Sequence, residues 1–314
     1  MVLFAAMDLE VFTGVGSGST AADLAQRLTL QPEQLRLLLE ACVAEGLLTS
    51  DGDVYRNSEV ADAFLVRGRP TYAVNTLKYA EDLYPAWGRL ADLIRTGKPT
   101  IEPETILGTD KAKTRAFVYA MHERARGGIG SVLAHLGDFT GRKRLLDVGG
   151  GPGTYSMELV RRTPGLHSTV MDLPGVLEVT REIVHDAGCG DQIELNPGSY
   201  LTTPFGTGHD AVLLSGMMHR ETPDTCRDLL RRSFEAMDAG GMVVVSDVFF
   251  EDDRKTTPPF AISFALNMML TSPEGSTHAK TEMARWVEET GFRKVEIRNL
   301  PPPNPHTLVV GFKP

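Results

Sequence analysis

A mainly helical N-terminal region followed by an α/β region around an open, mostly parallel sheet is the architecture this sequence predicts. Three observations carry it. Apolar residues from Thr20 to about Arg95 recur at helical spacing. Short apolar runs alternate with helical stretches beyond Gly141, and four glycines crowd into five positions where one of those runs meets a helix.

The N-terminal elements follow in order. Leu24 and Leu28, then Leu35, Leu38, Leu39 and Cys42, mark two amphipathic helices. Thr20 followed by Asp23 reads as a capping box, Pro32 suits a first helical turn, and Gly46 is placed to end the second helix. Leu47-Leu48, the Asp51-Gly52 turn and Val54-Tyr55 then predict a small hairpin. Helix, turn, helix and hairpin together make a winged-helix pattern, which serves either DNA reading or protein association. Charge decides between them. Residues 1–68 hold four basic residues (Arg27, Arg36, Arg56, Arg67) against ten acidic ones, a net of -6, and the second helix carries Glu33, Glu40 and Glu45 against Arg36 alone. A DNA reader needs the opposite sign, so this module is expected to associate with protein. The domain boundary is placed at 97/98, with a further helical stretch at about 111–136 linking into the second domain.

In the second domain the apolar runs are Leu145 to Val148, Ser168 to Met171, Ile193 to Leu195, Ala211 to Leu214, Met242 to Val248, Val295 to Ile297 and Leu308 to Phe312. Helical patterns fit between most of them, at Tyr155 to Arg162, Val176 to Asp186, Asp224 to Met237 and Thr281 to Glu289. The last two runs, separated by the Pro-rich Leu300 to Pro305 turn, are expected to pair antiparallel.

Composition bounds the function. With 314 residues, 42% hydrophobic and 23% charged, the chain is long enough for two globular domains. Its net charge of -9 argues against a dedicated nucleic-acid binder. No stretch approaches the roughly 18 apolar residues of a membrane span. Cys42, Cys189 and Cys226 are too scattered for a zinc module or a disulfide framework, and Asp8 and Glu10 interrupt any secretory signal, so a reduced, cytoplasmic protein is expected.

The glycine loop is the sharpest feature. Leu145 to Val148 leave a strand, and Gly149-Gly150-Gly151-Pro152-Gly153 lead into a helix. Such glycines let backbone approach a ligand without Cβ interference, and the helix N-terminus offers N–H groups to an anion. A dinucleotide fingerprint would need a small residue at Thr154. The sequence instead fits acid-x-G-x-G-x-G through Asp147, Gly149, Gly151 and Gly153, which resembles motif I of class I methyltransferases. Asp172, ending the second strand, suits the two hydroxyls of a ribose; both cofactor classes use such an acid, so it supports a nucleoside without choosing between them.

Over nearly its whole length the chain resembles the dimeric small-molecule O-methyltransferases, which include caffeic-acid and acetylserotonin enzymes. The likeness rests on the winged-helix region, on D-V-G-G-G-P-G and M-D-L-P between Leu145 and Leu177, and on Ala211 to Phe249. It implies a Rossmann-like class I methyltransferase sheet, an N-terminal winged-helix dimerisation domain, S-adenosylmethionine as cofactor, and a homodimer acting on a small-molecule acceptor. It further implies that Asp147, Gly149, Gly150, Gly151, Gly153, Asp172, Leu173, Ser199, Tyr200 and Ser215 surround the cofactor. Members begin with another helix before the equivalent of Ala5-Ala6-Met7-Asp8, so a compact or truncated member is expected.

The family's L-H-D-W-S-D-x-x-C motif maps to Met218-His219-Arg220-Glu221-Thr222-Pro223-Asp224-Thr225-Cys226, keeping the His and the Cys seven residues later. The resemblance makes His219 the general base for an acceptor hydroxyl and Asp247 the carboxylate that orients it. Departures are explicit. Asp and Trp become Arg220 and Glu221, the family's second carboxylate falls near Thr277 and His278, and the family's adenine-flanking Asp-Met is Ser199-Tyr200. These changes leave methylation at carbon or nitrogen, or a non-methylating cofactor-binding enzyme, as alternatives, with a winged-helix ligand-sensing regulator as the rival from another class. Met121, Phe264, Asn267, Met268 and His278 fall at substrate-lining positions. A His219–His278 metal pair would need an Asp where Arg220 stands, so no metal is expected.

Overall fold

A computed structural model of the chain describes residues 1–101, 107–251 and 256–314. Two compact units emerge, Met1–Asp82 and Leu83–Pro314.

In the first unit, helices α1 (Val2–Asp8) and α2 (Val11–Val15) precede the expected winged-helix elements. Strand β1 (Ser19–Thr20) leads into α3 (Ala21–Leu28), whose first turn is capped as the sequence predicts: the Asp23 N–H donates to Thr20 Oγ1 at 3.1 Å. Pro32 opens α4 (Pro32–Ala44), followed by the hairpin β2 (Leu48–Asp51) and β3 (Val54–Asn57) and by α5 (Glu59–Leu65). The three strands form one small sheet in the order β1-β3-β2. Phe12, Leu24, Leu39, Cys42 and Leu48 close the core of this unit. Glu33, Arg36 and Glu40 lie on the exposed side of α4, so its outward face is acidic, as expected from the charge count.

The helix α6 (Val74–Gly88) spans the division between the units. The division at 82/83 falls ahead of the boundary expected at 97/98, and Ala86 and, on α7 (Leu90–Thr96), Leu93 cluster with Leu270.

The second unit continues with the long helix α8 (Lys111–Leu136) and then alternates as predicted: β4 (Arg144–Val148), α9 (Thr154–Arg162), β5 (His167–Asp172), α10 (Pro174–Asp186), β6 (Ile193–Pro197), β7 (His209–Ser215), a 3-10 turn (Met218–Arg220), α11 (Pro223–Ala236) and β8 (Met237–Asp247). Helices α12 (Pro259–Thr271) and α13 (Lys280–Thr290) precede β9 (Arg293–Asn299) and β10 (Thr307–Phe312). α12 carries no one-sided apolar stripe, because it is apolar on nearly every face.

One seven-stranded sheet runs in the order β6-β5-β4-β7-β8-β10-β9. The first five strands are parallel, and β10 is antiparallel to both neighbours. The expected β9–β10 pairing is present, but β10 also inserts beside β8, with Thr307 opposite Asp247. Both faces of the sheet are covered. Leu145, Leu213 and Val244 join one core cluster and Leu146, Leu214 and Val245 the other, which is why these strands read as continuous apolar runs rather than alternating ones. No helix among the described residues is long and apolar enough to cross a membrane.

Candidate active site

The parallel strands carry their carboxyl ends to one edge, and the order reverses between β4 and β7, where open α/β sheets form a ligand crevice. The glycine loop lies at that edge. Gly149, Gly151 and Gly153 have φ of 64°, 52° and 70°, a region side chains rarely adopt. Gly150 needs its missing side chain for space: a Cβ there would lie 2.8 Å from Asp147 Cγ and 2.9 Å from Val170 Cγ1. The loop is tied to β5 by the Gly149 and Gly150 N–H groups, which donate to Met171 O at 2.8 and 3.3 Å.

Asp147 and Asp172 differ in their use. Asp147 is buried; Ser156 Oγ donates to its Oδ2 at 2.6 Å, while Oδ1 has no partner. Burial, with Asp172 adding to it and Ser156 opposing, pushes its carboxyl up to about 7. Asp172 accepts the Leu173 N–H on Oδ1 at 2.7 Å and the Gly151 N–H on Oδ2 at 2.8 Å. Burial raises its pKa while these N–H groups and Arg220 pull the other way. Each oxygen keeps a lone pair, so a pair of ribose hydroxyls fits, and the orphaned Asp147 Oδ1 beside a cradle that a Cβ would fill suits the polar end of S-adenosylmethionine. Leu173 caps α10 and is partly buried.

The remaining nucleoside-side residues are more varied. Ser199 serves its own turn, its Oγ accepting the Leu201 N–H at 3.2 Å. Tyr200 brings its ring against Gly149 and donates its hydroxyl to Glu221 Oε1 at 2.7 Å. Ser215 ends β7 beside Ser246, close enough to the Tyr155 hydroxyl to oppose the burial-driven rise in its pKa.

His219 sits on the 3-10 turn after β7. Its Nδ1 meets Asp247 Oδ1 at 2.7 Å, and its own backbone N–H donates to Asp247 Oδ2 at 3.2 Å. Asp247 is 1% exposed. Burial alone would raise its pKa, but His219, His306 and the Val248 N–H outweigh that and hold the carboxyl below its ordinary value. An ionised carboxylate only accepts, so Nδ1 carries the proton and Nε2 is the nitrogen left for an acceptor. Phe264 packs edge-on against the imidazole, ring centres 4.8 Å apart.

The other expected pocket positions divide. Met121 is partly buried on α8, and Asn267 Oδ1 accepts from Trp87 Nε1 at 3.0 Å. Met268 belongs to the core cluster around Val248 and Phe250. His278 is a correction. It does not line the pocket; it lies buried beneath the His219 turn, its Nε2 donating to Glu221 O at 3.2 Å and Met218 O at 3.3 Å, its ring edge-on to Trp286. Those two carbonyls consume its proton, so it braces the turn. No cluster of three or more potential metal ligands occurs among the described residues.

Two residues at this edge were missed in the sequence. His306 enters because β10 runs antiparallel beside β8, and its Nδ1 meets Ser246 Oγ at 3.0 Å. Arg124 enters from α8, its guanidinium 5.9 Å from the Phe264 ring centre. Its only sequence signal was its spacing three residues from Met121.

A glycine cradle at the sheet switch point, an acid ending the neighbouring strand and a histidine–carboxylate pair across β7 and β8 define a class I S-adenosylmethionine-dependent methyltransferase. Residues 87–293 match the O-methyltransferase domain and residues 1–67 the O-methyltransferase dimerisation domain, so the chain belongs to the S-adenosylmethionine-dependent O-methyltransferase family. It is 32% identical over 318 residues to the tetracenomycin polyketide synthesis 8-O-methyl transferase TcmO of Streptomyces glaucescens, covering 99% of this chain and 92% of that protein. It is 31% identical over 316 residues to the 3-hydroxy-5-methyl-1-naphthoate 3-O-methyltransferase of Streptomyces sahachiroi, covering 99% and 91%. Human N-acetylserotonin methyltransferase, solved with S-adenosylmethionine, superposes with a TM-score of 0.88 at 26% identity, over 99% of this chain and 93% of that one.

Two outcomes follow. Gly150→Ala forces a Cβ into Asp147, and since overpacking costs about 1–3 kcal/mol, S-adenosylmethionine affinity measured by titration calorimetry falls about tenfold or more. Unchanged affinity would show that the loop yields freely. The second outcome concerns acid. Burial holds His122 and His306 down to about 4, against about 6.5 unfolded. The unfolded chain then binds more protons between those values, so this contribution is complete above pH about 6.5 and is lost as pH falls toward about 4. Asp147, raised to about 7, acts with the opposite sign. The histidine part is therefore read as a difference: melting temperature falls less steeply as pH drops from about 7 to about 4.5 in His122→Asn/His306→Asn than in the parent chain.

Proposed function

We propose that this chain methylates a hydroxyl on a small aromatic acceptor, with His219 as general base. The observation that carries the reading is the 2.7 Å contact between His219 Nδ1 and the buried Asp247 carboxylate. It fixes the imidazole in one tautomer with Nε2 free. The two relatives named above act, by their names, on a polyketide and on a ring hydroxyl of a naphthoate, which supports an aromatic acceptor here.

The sulfonium of S-adenosylmethionine supplies an electrophilic methyl group. The chain's own residues hold, align and deprotonate. The loop from Gly149 to Gly153, with Asp147, takes the methionine end, Asp172 takes the ribose, and Leu173, Ser199, Tyr200 and Ser215 surround the nucleoside side. Phe264, Met121, Asn267 and Met268 set the acceptor beside His219. Alignment of that kind supplies about 7–11 kcal/mol of barrier reduction. A positioned base adds about 10²–10⁴ in rate. A phenol near pKa 10 is not ionised outright by an imidazole, so Nε2 would take the hydroxyl proton in concert with methyl transfer rather than before it. Asp247 steadies the resulting imidazolium.

The dimerisation domain supports a homodimer formed through the N-terminal unit, in a cytoplasmic enzyme without nucleic-acid or membrane partners. The acidic outer face of α4 supports association over DNA reading.

A methyl-transfer screen over phenols, catechols and enols, with product mass spectra locating the methyl group, tests the reaction class; a product methylated only at carbon or nitrogen would replace it. On an acceptor so found, His219→Ala lowers kcat by about 10²–10⁴ while S-adenosylmethionine affinity stays close to that of the parent chain. Full turnover by that variant would remove the base assignment and leave the cofactor assignment standing. Sedimentation velocity reports a dimer, and a stable monomer at micromolar concentration overturns the assembly.

A further inference from the structure

We propose that Arg124, with His306 beside it, recognises a carboxylate on the acceptor, so that the preferred substrate class is an aromatic hydroxy acid. This rests on the methyltransferase reading of the His219 site and narrows it.

Arg115, on the same helix as Arg124, pairs with Glu182 at 2.6 Å, and Arg161 pairs with Glu158 at 2.9 Å. Among the described residues, no carboxylate pairs with Arg124. The Phe264 ring centre lies 5.9 Å from its guanidinium, and its charge acts to lower the pKa of the Tyr155 phenol and of the His306 imidazole. The same Phe264 ring packs against His219, so guanidinium and base flank one aromatic side chain. An acceptor lying along that ring presents a hydroxyl to His219 and its far substituent to Arg124.

The placement of His306 strengthens this. Asn304, in the Pro-rich turn, donates from Nδ2 to Gly128 O at 3.3 Å, and its Oδ1 accepts the His306 N–H at 3.0 Å. Gly128 lies one helical turn beyond Arg124, and a Cβ there would come within 2.8 Å of Asn304 Nδ2. The turn therefore docks on the face of α8 that bears Arg124. With Nδ1 engaged by Ser246, His306 has Nε2 left for a ligand, and burial keeps the ring neutral. A guanidinium fork near a neutral imidazole suits the two oxygens of a carboxylate, and guanidinium is the side chain best shaped for that group.

The test compares a hydroxylated naphthoic acid with the naphthol lacking its carboxyl group, in the parent chain, Arg124→Gln and Arg124→Lys. The parent prefers the acid. Arg124→Gln loses about 10- to 100-fold in kcat/KM on the acid, the loss of a charge-assisted hydrogen bond, with little change on the naphthol, and Arg124→Lys recovers part of it. Equal losses on both acceptors, or no preference in the parent, overturn the proposal. S-adenosylhomocysteine titration guards against a rival anion: if its affinity falls in Arg124→Gln, the guanidinium holds the cofactor's carboxylate and the proposal fails. If no acceptor is methylated, the reaction assignment fails separately. Calorimetric titration of unhydroxylated naphthoate onto the S-adenosylhomocysteine complex then decides, tighter binding to the parent than to Arg124→Gln supporting the proposal and equal or absent binding refuting it.

Discussion

The buried carboxylate of Asp247 is the constraint on which the reactive part of this structure depends. An ionised carboxylate removed from water costs several kcal/mol unless every oxygen finds a donor. Here the donors are the His219 imidazole, the His219 backbone N–H and the Val248 N–H. Two of the three belong to His219, so satisfying the charge also sets the position and the ring direction of the residue. The turn carrying it is braced from the other side, where His278 and the Cys226 thiol hydrogen-bond the Met218 carbonyl. Ser276 donates its N–H to the His219 carbonyl at 2.9 Å. The base is thus held at both backbone groups and at one ring nitrogen.

The cofactor side obeys a different constraint, close backbone approach. Gly150 cannot carry a side chain beside Asp147, and the loop must also reach β5, where Asp172 collects N–H groups from both sides. Neither half of the site is independent of the other. Tyr200 stands against Gly149 and donates to Glu221, two residues past the base. One hydrogen bond therefore links the cradle to the segment that continues from His219.

What could be read in the sequence follows from how local each feature is. The glycine loop, the ribose-range acid and the strand runs are set by neighbours in the chain, and each lies where the pattern placed it. His219 and Asp247 were legible only through a resemblance, since 28 positions separate them. His306 was not legible, because its place depends on β10 inserting beside β8, with Thr307 opposite Asp247. Periodicity shows that a strand exists and says nothing about which neighbour it takes. Arg124 was hidden for a similar reason: an exposed charged residue on a long helix carries no signal of its neighbours until the fold brings the Phe264 ring to 5.9 Å from its guanidinium and seats the Asn304 turn on the same helix. His278 was misread because its position suggested the pocket, whereas its burial and the two carbonyls on its proton make it a support.

The departures from the family pattern acquire a physical sense in this setting. Where the family motif has Asp and Trp after the histidine, Arg220 and Glu221 stand here, and both charges have partners: Glu221 takes the Tyr200 hydroxyl, and Arg220 lies close enough to Asp172 to oppose the rise in its pKa. Removing the second carboxylate near Thr277 leaves a single acid on the imidazole. His278, which follows Thr277, is buried with its proton spent on the Met218 and Glu221 carbonyls. The guanidinium of Arg124, with which no carboxylate among the described residues pairs, gives an anionic group on an acceptor a partner.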